Sequence, residues 1–415
     1  MNRLTKCIVY STLFVNLLLI IRASCKSAMY SIMRPAKYCI SEFLINYQGG
    51  FVRRGLMGEI LYQICHPLGL DPRYLIIPFS IITAALFIFI IIKLFRKEHL
   101  CLWILPTSYV IFGADFIRKD FFMMLLVFWI LRLVPKLISG QGKPILVILL
   151  SLILLNVHEA SFFIFYPILF VYILFGVPCQ MHKWTKLVVL AAPLAMMAAV
   201  SIFKGDRECA ETICRSWEFA FPESYSSFTM WNAIGALCWD TARTIINHVQ
   251  FNFINGPFVH YAGFIARPLV LLAIIFLMVQ IAFVYQRGTA AFNSMTRRFV
   301  GFAAFQLLSL VPLFTVLSCD FCRICFYWTV SSFLAYCSLK DVQLHFPCQE
   351  RLARLFNPFA AWLAHPVKAV YPFVLLVILG VPFCMNTPID YLSPIFRRAY
   401  WHINHISSDI ERLGL

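Results

Sequence analysis

A series of long apolar runs, about eleven in all, limits what this chain can fold into. A helix that crosses a bilayer needs about 20 predominantly apolar residues, fewer where neighbours shelter it. The candidate runs are 7–21, 74–92, 100–114, 121–134, two within 144–178, 187–203, 268–286, 299–317, 324–339 and 369–385. With 61% of residues hydrophobic and 13% charged, such a chain cannot present a water-compatible surface. The expected fold is therefore all-α, a polytopic integral membrane protein. The formal charge of +16 is read as membrane-flanking cation, with no nucleic acid as partner.

Residues 144–178 are the most informative of the runs. One helix of that length would reach roughly 52 Å, against a hydrocarbon core of about 30 Å. The stretch must break, and Asn156–Ser161, which holds His158 and Glu159, is where its polarity allows a bend. The first run, 7–21, follows Arg3 and Lys6 and has Arg22 directly behind it. No small-residue cleavage site stands out, so it is read as an uncleaved span.

Between the runs lie 22–73, with the Tyr47–Gly58 motif, the 204–267 loop, a 340–368 segment of interfacial pattern and a polar 386–415 tail. The 204–267 loop is expected to form a cap carrying amphipathic helices. No internal repeat or low-complexity segment appears, and 1–415 is treated as one multispan membrane domain. Cys209 and Cys214 can pair if their loop faces an oxidising compartment. Cys319, Cys322 and Cys325 are spaced like part of a metal site, but the spacing also fits one helical face, and no metal is assigned.

Orientation follows from the short connections. Those without acidic motifs are basic, which places them and the N-terminus in the cytoplasm. On that topology Arg53–Arg54, Asp115–Asp120, His158–Glu159 and Asp320–Arg323 share the outer face. Ionisable groups beside membrane spans mark a pathway or a site by default. Each also has a plainer reading: a headgroup anchor, a polar hairpin tip, a solvated turn, or an i,i+3 helix pair.

Taken together, these groups suit a lipid-linked sugar diphosphate. Its leaving group gains charge as the glycosidic bond breaks, and fixed cations stabilise that charge. Arg53, Arg54, Arg118, Lys119 and Arg323 are assigned to diphosphate. Asp115 and Glu59 are assigned to substrate binding beside them. Glu159 or His158 is the expected base, with Asp120 and Asp320 as further carboxylates for arginine orientation, sugar hydroxyls or proton transfer.

The motifs Tyr47-Gln-Gly-Gly-Phe-Val-Arg-Arg-Gly-Leu-Met-Gly58, Arg118-Lys-Asp120, His158-Glu159 and Asp320-Phe-Cys-Arg323 resemble those of the Wzy-type O-antigen and capsule polymerases, GT-C-like membrane glycosyltransferases. In those proteins the last motif reads Asp-x-Gly-Arg-Trp; here Cys322 and Ile324 replace the glycine and the tryptophan. The resemblance implies polymerisation of undecaprenyl-diphosphate-linked saccharide on the periplasmic face of the bacterial inner membrane. It implies membrane lipid and other polysaccharide-assembly proteins as partners, and neither cofactor nor nucleotide sugar. Two other readings stay open, a transporter or flippase of lipid-linked sugars and an acyltransferase acting through His158.

Overall fold

The computed structural model describes residues 38–97, 116–222, 232–239, 321–339 and 342–345 without a break, and scattered residues elsewhere. They are mostly helical. The helices are α1 (Gly55–Leu68), α2 (Arg73–Lys97), α3 (Asp120–Ile138), α4 (Pro144–Val157), α5 (Phe162–Phe175), α6 (Lys183–Ile202), α7 (Arg207–Ser216) and α8 (Phe321–Leu339). Three of them are long and apolar enough to cross a membrane: α2 over Arg73–Leu94, then α3 and α6. The expected spans at 100–114, 268–286, 299–317 and 369–385 lie outside the described residues, and 7–21 does so in large part.

Of the three long helices, α3 is the interior one. Two thirds of its apolar window (67%) is buried, against 33% in α2 and 22% in α6. It packs against α2, α4, α5 and α8. Phe121, Met124, Ile130 and Val134 of α3 join Phe87 of α2, Leu154 of α4, Phe165 of α5 and Phe326 of α8 in one core. Helices α2 and α6 leave Ile82, Phe89, Val188 and Leu194 exposed, as side chains facing lipid would be.

Local chemistry sets the helix ends. Gly140 adopts φ 76° after α3, and Pro144 then starts α4 at the position where a missing N–H costs least. The break in the 144–178 run falls where the length argument requires. Helix α4 stops at Val157, His158 is extended, a 3-10 turn spans Glu159–Ser161, and α5 begins. The Ser161 hydroxyl donates to the His158 carbonyl (2.7 Å) and tightens the turn. At the far end of α5, Gly176–Val177 pairs antiparallel with Gln343–Leu344, so α5 and α8 finish at the same end of the bundle.

A second core sits at the opposite end. Ile40, Phe43, Leu44 and Val52 of the motif segment pack with Leu61 of α1, Ile213 of α7, Trp217 and Leu237. Trp217 is fully buried and its indole N–H donates to the Leu44 carbonyl (2.7 Å). Ala233 N–H donates to the Ser41 hydroxyl (2.9 Å), and Asn46 donates to Ser216 (2.8 Å). The described part of the 204–267 loop thus lies over the motif segment as a cap. Cys209 and Cys214 do not pair. They stand five apart on α7 as buried free thiols, a separation beyond the roughly 7 Å that a disulfide spans.

Gly58 explains one glycine of the motif. A Cβ there would overlap the Ile45 carbonyl, a backbone group that cannot swing aside. Gly58→Ala is expected to destabilise the protein by about 1–3 kcal/mol, seen as a lower unfolding midpoint in detergent.

Candidate functional site

Charged side chains from four separate stretches meet between the two cores. Asp120 opens α3, Arg323 lies in the first turn of α8, and Arg54 precedes α1. His158 and Glu159 occupy the α4–α5 break. Helix N-termini carry partial positive charge, which favours the carboxylates Asp120 and Glu159 at these positions and favours anions generally.

Arg54 is the pivot of the motif. It adopts φ 65°, a left-handed conformation that costs a non-glycine residue on the order of 1–3 kcal/mol. The fold holds it there through a two-point pair with Glu159. Arg54 Nε donates to Glu159 Oε2 (2.7 Å) and Arg54 Nη2 donates to Glu159 Oε1. Arg53 Nη1 lies 3.6 Å from the same Oε1, so two guanidiniums share one carboxylate. Arg53 Nη2 donates to the Ala236 carbonyl of the cap (3.0 Å), while its buried Nε has no hydrogen-bond partner among the described residues. Lys119 is fully buried, and its ammonium donates to the Arg54 carbonyl (3.3 Å). Burial, against the pull of Glu42, lowers that ammonium to about 8.

The second pair joins α3 to α8. Arg323 Nε and Nη2 donate to Asp120 Oδ2 (3.0 Å) and Oδ1 (2.7 Å), and the Tyr327 hydroxyl donates to Oδ1. Arg118 stands nearby, with Nε donating to Cys39 Sγ (3.5 Å) and its guanidinium 5.9 Å from the Tyr38 ring centre. Arg118–Asp120 is therefore an enclosed segment, where a polar hairpin tip would be solvated.

Between the pairs lies Glu42, a residue that sequence reasoning passed over. It is fully buried, and neither carboxylate oxygen has a hydrogen-bond partner among the described residues. His158 Nε2 is 3.4 Å and Arg323 Nη2 3.7 Å from its Oε1. Burial pushes the Glu42 carboxyl up, but Arg323, His158, Arg118 and Lys119 together outweigh it and hold the group at about 2. His158 Nδ1 accepts from Ala160 N–H (3.2 Å), which places the proton of the neutral ring on Nε2, toward Glu42. Burial, reinforced by Arg54, lowers His158 to about 3.

Of the residues assigned from sequence, Arg53, Arg54, Arg118, Lys119, Asp120, His158, Glu159 and Arg323 come together here. Glu59 does not join them. It accepts from Tyr47 N–H (2.8 Å) and Gln63 Nε2 (2.7 Å) and braces the motif loop. Asp115 and Asp320 lie outside the described residues, as does Cys319; the Cys322 and Cys325 side chains are not described either. Glu42, Tyr38 and Tyr327 are additions. Their signal was weak, a lone acid and two tyrosines among apolar neighbours. Among the described residues the cluster holds five cations, Arg53, Arg54, Arg118, Lys119 and Arg323, against three carboxylates, Glu42, Asp120 and Glu159.

No protein-family model, curated protein or solved structure matches the chain.

Two outcomes follow from this geometry. Asp120→Ala strips Arg323 and Tyr327 of their shared acceptor and is expected to cost about 3–5 kcal/mol. Replacing Arg323 by Met as well should return much of that loss in detergent unfolding. The His158 value lies below the free imidazole's 6.5, so the unfolded chain binds the proton first. Stability is expected to be full above about 6.5 and to fall as pH drops from there toward 3. His158→Gln should flatten the upper part of that fall.

Proposed function

We propose that this protein is a membrane glycosyltransferase of the polymerase type, which transfers lipid-diphosphate-linked sugar units during synthesis of a bacterial surface polysaccharide, O-antigen or capsule. One observation carries the reading: Arg53 and Arg54 share the single carboxylate of Glu159, and the buried Arg53 Nε has no acceptor among the described residues. A buried site with unspent cationic donors suits an anion whose charge grows during reaction. Lys119 and Arg323 stand on the same cluster, and the N-terminus of α1 adds its partial charge. Apolar helices beside the cluster suit a polyprenyl tail, and the cap suits a reaction that must keep water out.

The wider picture belongs to the same proposal. The chain has about eleven spans in a GT-C-like arrangement, sits in the bacterial inner membrane and turns this cluster to the periplasm. The donor is undecaprenyl-diphosphate-linked saccharide, and the four motifs resemble those of Wzy-type polymerases. A flippase would spread charged groups through the bilayer depth, whereas these gather at one end of the helices. Acyl transfer would need a histidine aimed at substrate. In His158, Nδ1 is taken up by Ala160 N–H and Nε2 faces Glu42.

Polymer length is the readout. Cells lacking the gene should carry single repeat units in place of a ladder, and the wild-type gene should restore the ladder. Arg54→Ala is expected to restore it about 100-fold less well, the scale of losing one charge-stabilising donor. A normal ladder in the deletion strain would end the polymerase reading. Loss of both ladder and single units would move the protein upstream, to assembly or flipping.

A further inference from the structure

The three carboxylates of the cluster are used very differently. Asp120 accepts three hydrogen bonds, two from Arg323 and one from Tyr327. Glu159 has each oxygen occupied by Arg54. Glu42 is as deeply buried as Asp120, yet among the described residues both of its oxygens lack a hydrogen bond. Its neighbours stop short, His158 Nε2 at 3.4 Å and Arg323 Nη2 at 3.7 Å. Leaving a buried charged acceptor unsatisfied costs several kcal/mol on the usual scale, so such groups are normally completed by a donor. An added cation would only extend a surplus already present. A neutral donor, a hydroxyl, fits better.

We propose that Glu42 is the catalytic base of this site, the group that takes the proton from the acceptor sugar hydroxyl. The inference rests on the glycosyl-transfer reading above. In the step, the acceptor O–H bond breaks and its proton passes to a Glu42 oxygen. The acceptor oxygen forms its bond to the anomeric carbon. The bond from that carbon to the diphosphate oxygen breaks, and its electron pair leaves with the diphosphate, toward Arg53, Arg54 and Lys119. Glu159, tied to Arg54, is then a positioning residue. His158 Nε2 faces Glu42 Oε1 at 3.4 Å and is a second positioning residue.

Two further features agree. Burial pushes the Glu42 carboxyl up, while Arg323, His158, Arg118 and Lys119 hold it down at about 2. A bound diphosphate cancels part of the cationic field, so the carboxylate becomes a stronger base when substrate is present. Enclosure also keeps water from a base that must choose a sugar hydroxyl.

The test uses full-length protein and separates binding from transfer. Farnesyl diphosphate, titrated into wild type and Glu42→Gln in detergent, probes the anion site; ladder formation in complemented deletion cells probes transfer. Glu42→Gln removes a negative charge beside the arginines. It is expected to bind the probe at least as tightly as wild type and to form polymer about 100-fold less well or worse. Glu42→Asp, which draws the carboxylate back, should bind normally and lose at least about 10-fold. A Glu42→Gln ladder of wild-type length and amount would overturn the proposal. So would loss of probe binding together with the ladder, which would make Glu42 a counter-charge. If Glu42→Gln does not accumulate, Glu42→Asp decides: full activity overturns the base, and lost transfer with intact binding upholds it. Wild-type protein that ignores farnesyl diphosphate would instead remove the diphosphate reading, and the base with it.

Discussion

Burial of paired charges at the ends of apolar helices is what the rest of this arrangement depends on. Arg54 grips Glu159, and Arg323 grips Asp120, each through two hydrogen bonds. Neither pair is local in sequence. The first ties the motif loop to the α4–α5 break, and the second ties α3 to α8. Removing one partner of such a pair leaves an uncompensated buried charge, far costlier than losing a surface bridge. The pairs therefore fix how the helix ends meet, and the apolar bundle behind them supplies the burial that gives them force. The strained Arg54 backbone belongs to the same bargain, since its φ of 65° persists under the hold of Glu159.

Two packed regions enclose this layer. On one side the α3-centred core sets Asp120, Arg323 and the α4–α5 break at one level. On the other, the motif segment and α1 are pressed down by α7, Trp217 and the 232–239 turn. Arg53 links them, with its backbone N–H donating to the Phe203 carbonyl after α6 (3.1 Å) and its side chain bonded to Ala236 of the cap. Any change in the cap is thus felt by a guanidinium of the cluster.

Much of this was legible in the sequence. Hydropathy and length placed α2, α3, α6 and α8 within a few residues; bilayer thickness demanded a break in 144–178, and polarity placed it at Asn156–Ser161. The charged motifs stood out because ionisable groups are rare among such spans, and eight of the assigned residues do meet. The rest was illegible for physical reasons. Glu59 looked like a site acid, but hydrogen bonding to Tyr47 and Gln63 is a local matter that composition does not reveal. Glu42 was missed because one acid between Ser41 and Phe43 carries no pattern; only tertiary packing brings it between Arg323 and His158. Cys209 and Cys214 looked pairable until a helix was seen to hold them five residues apart.

The central claim is that the Arg53–Arg54–Lys119 side of the cluster receives a diphosphate. An experimental structure of the protein in a lipid nanodisc with farnesyl diphosphate bound tests it most directly. The account predicts diphosphate density within hydrogen-bonding distance of Arg53, including its Nε, with the isoprenoid tail running along the apolar helices. Density at another surface, with Arg53 and Glu159 paired as in the ligand-free protein, would contradict it.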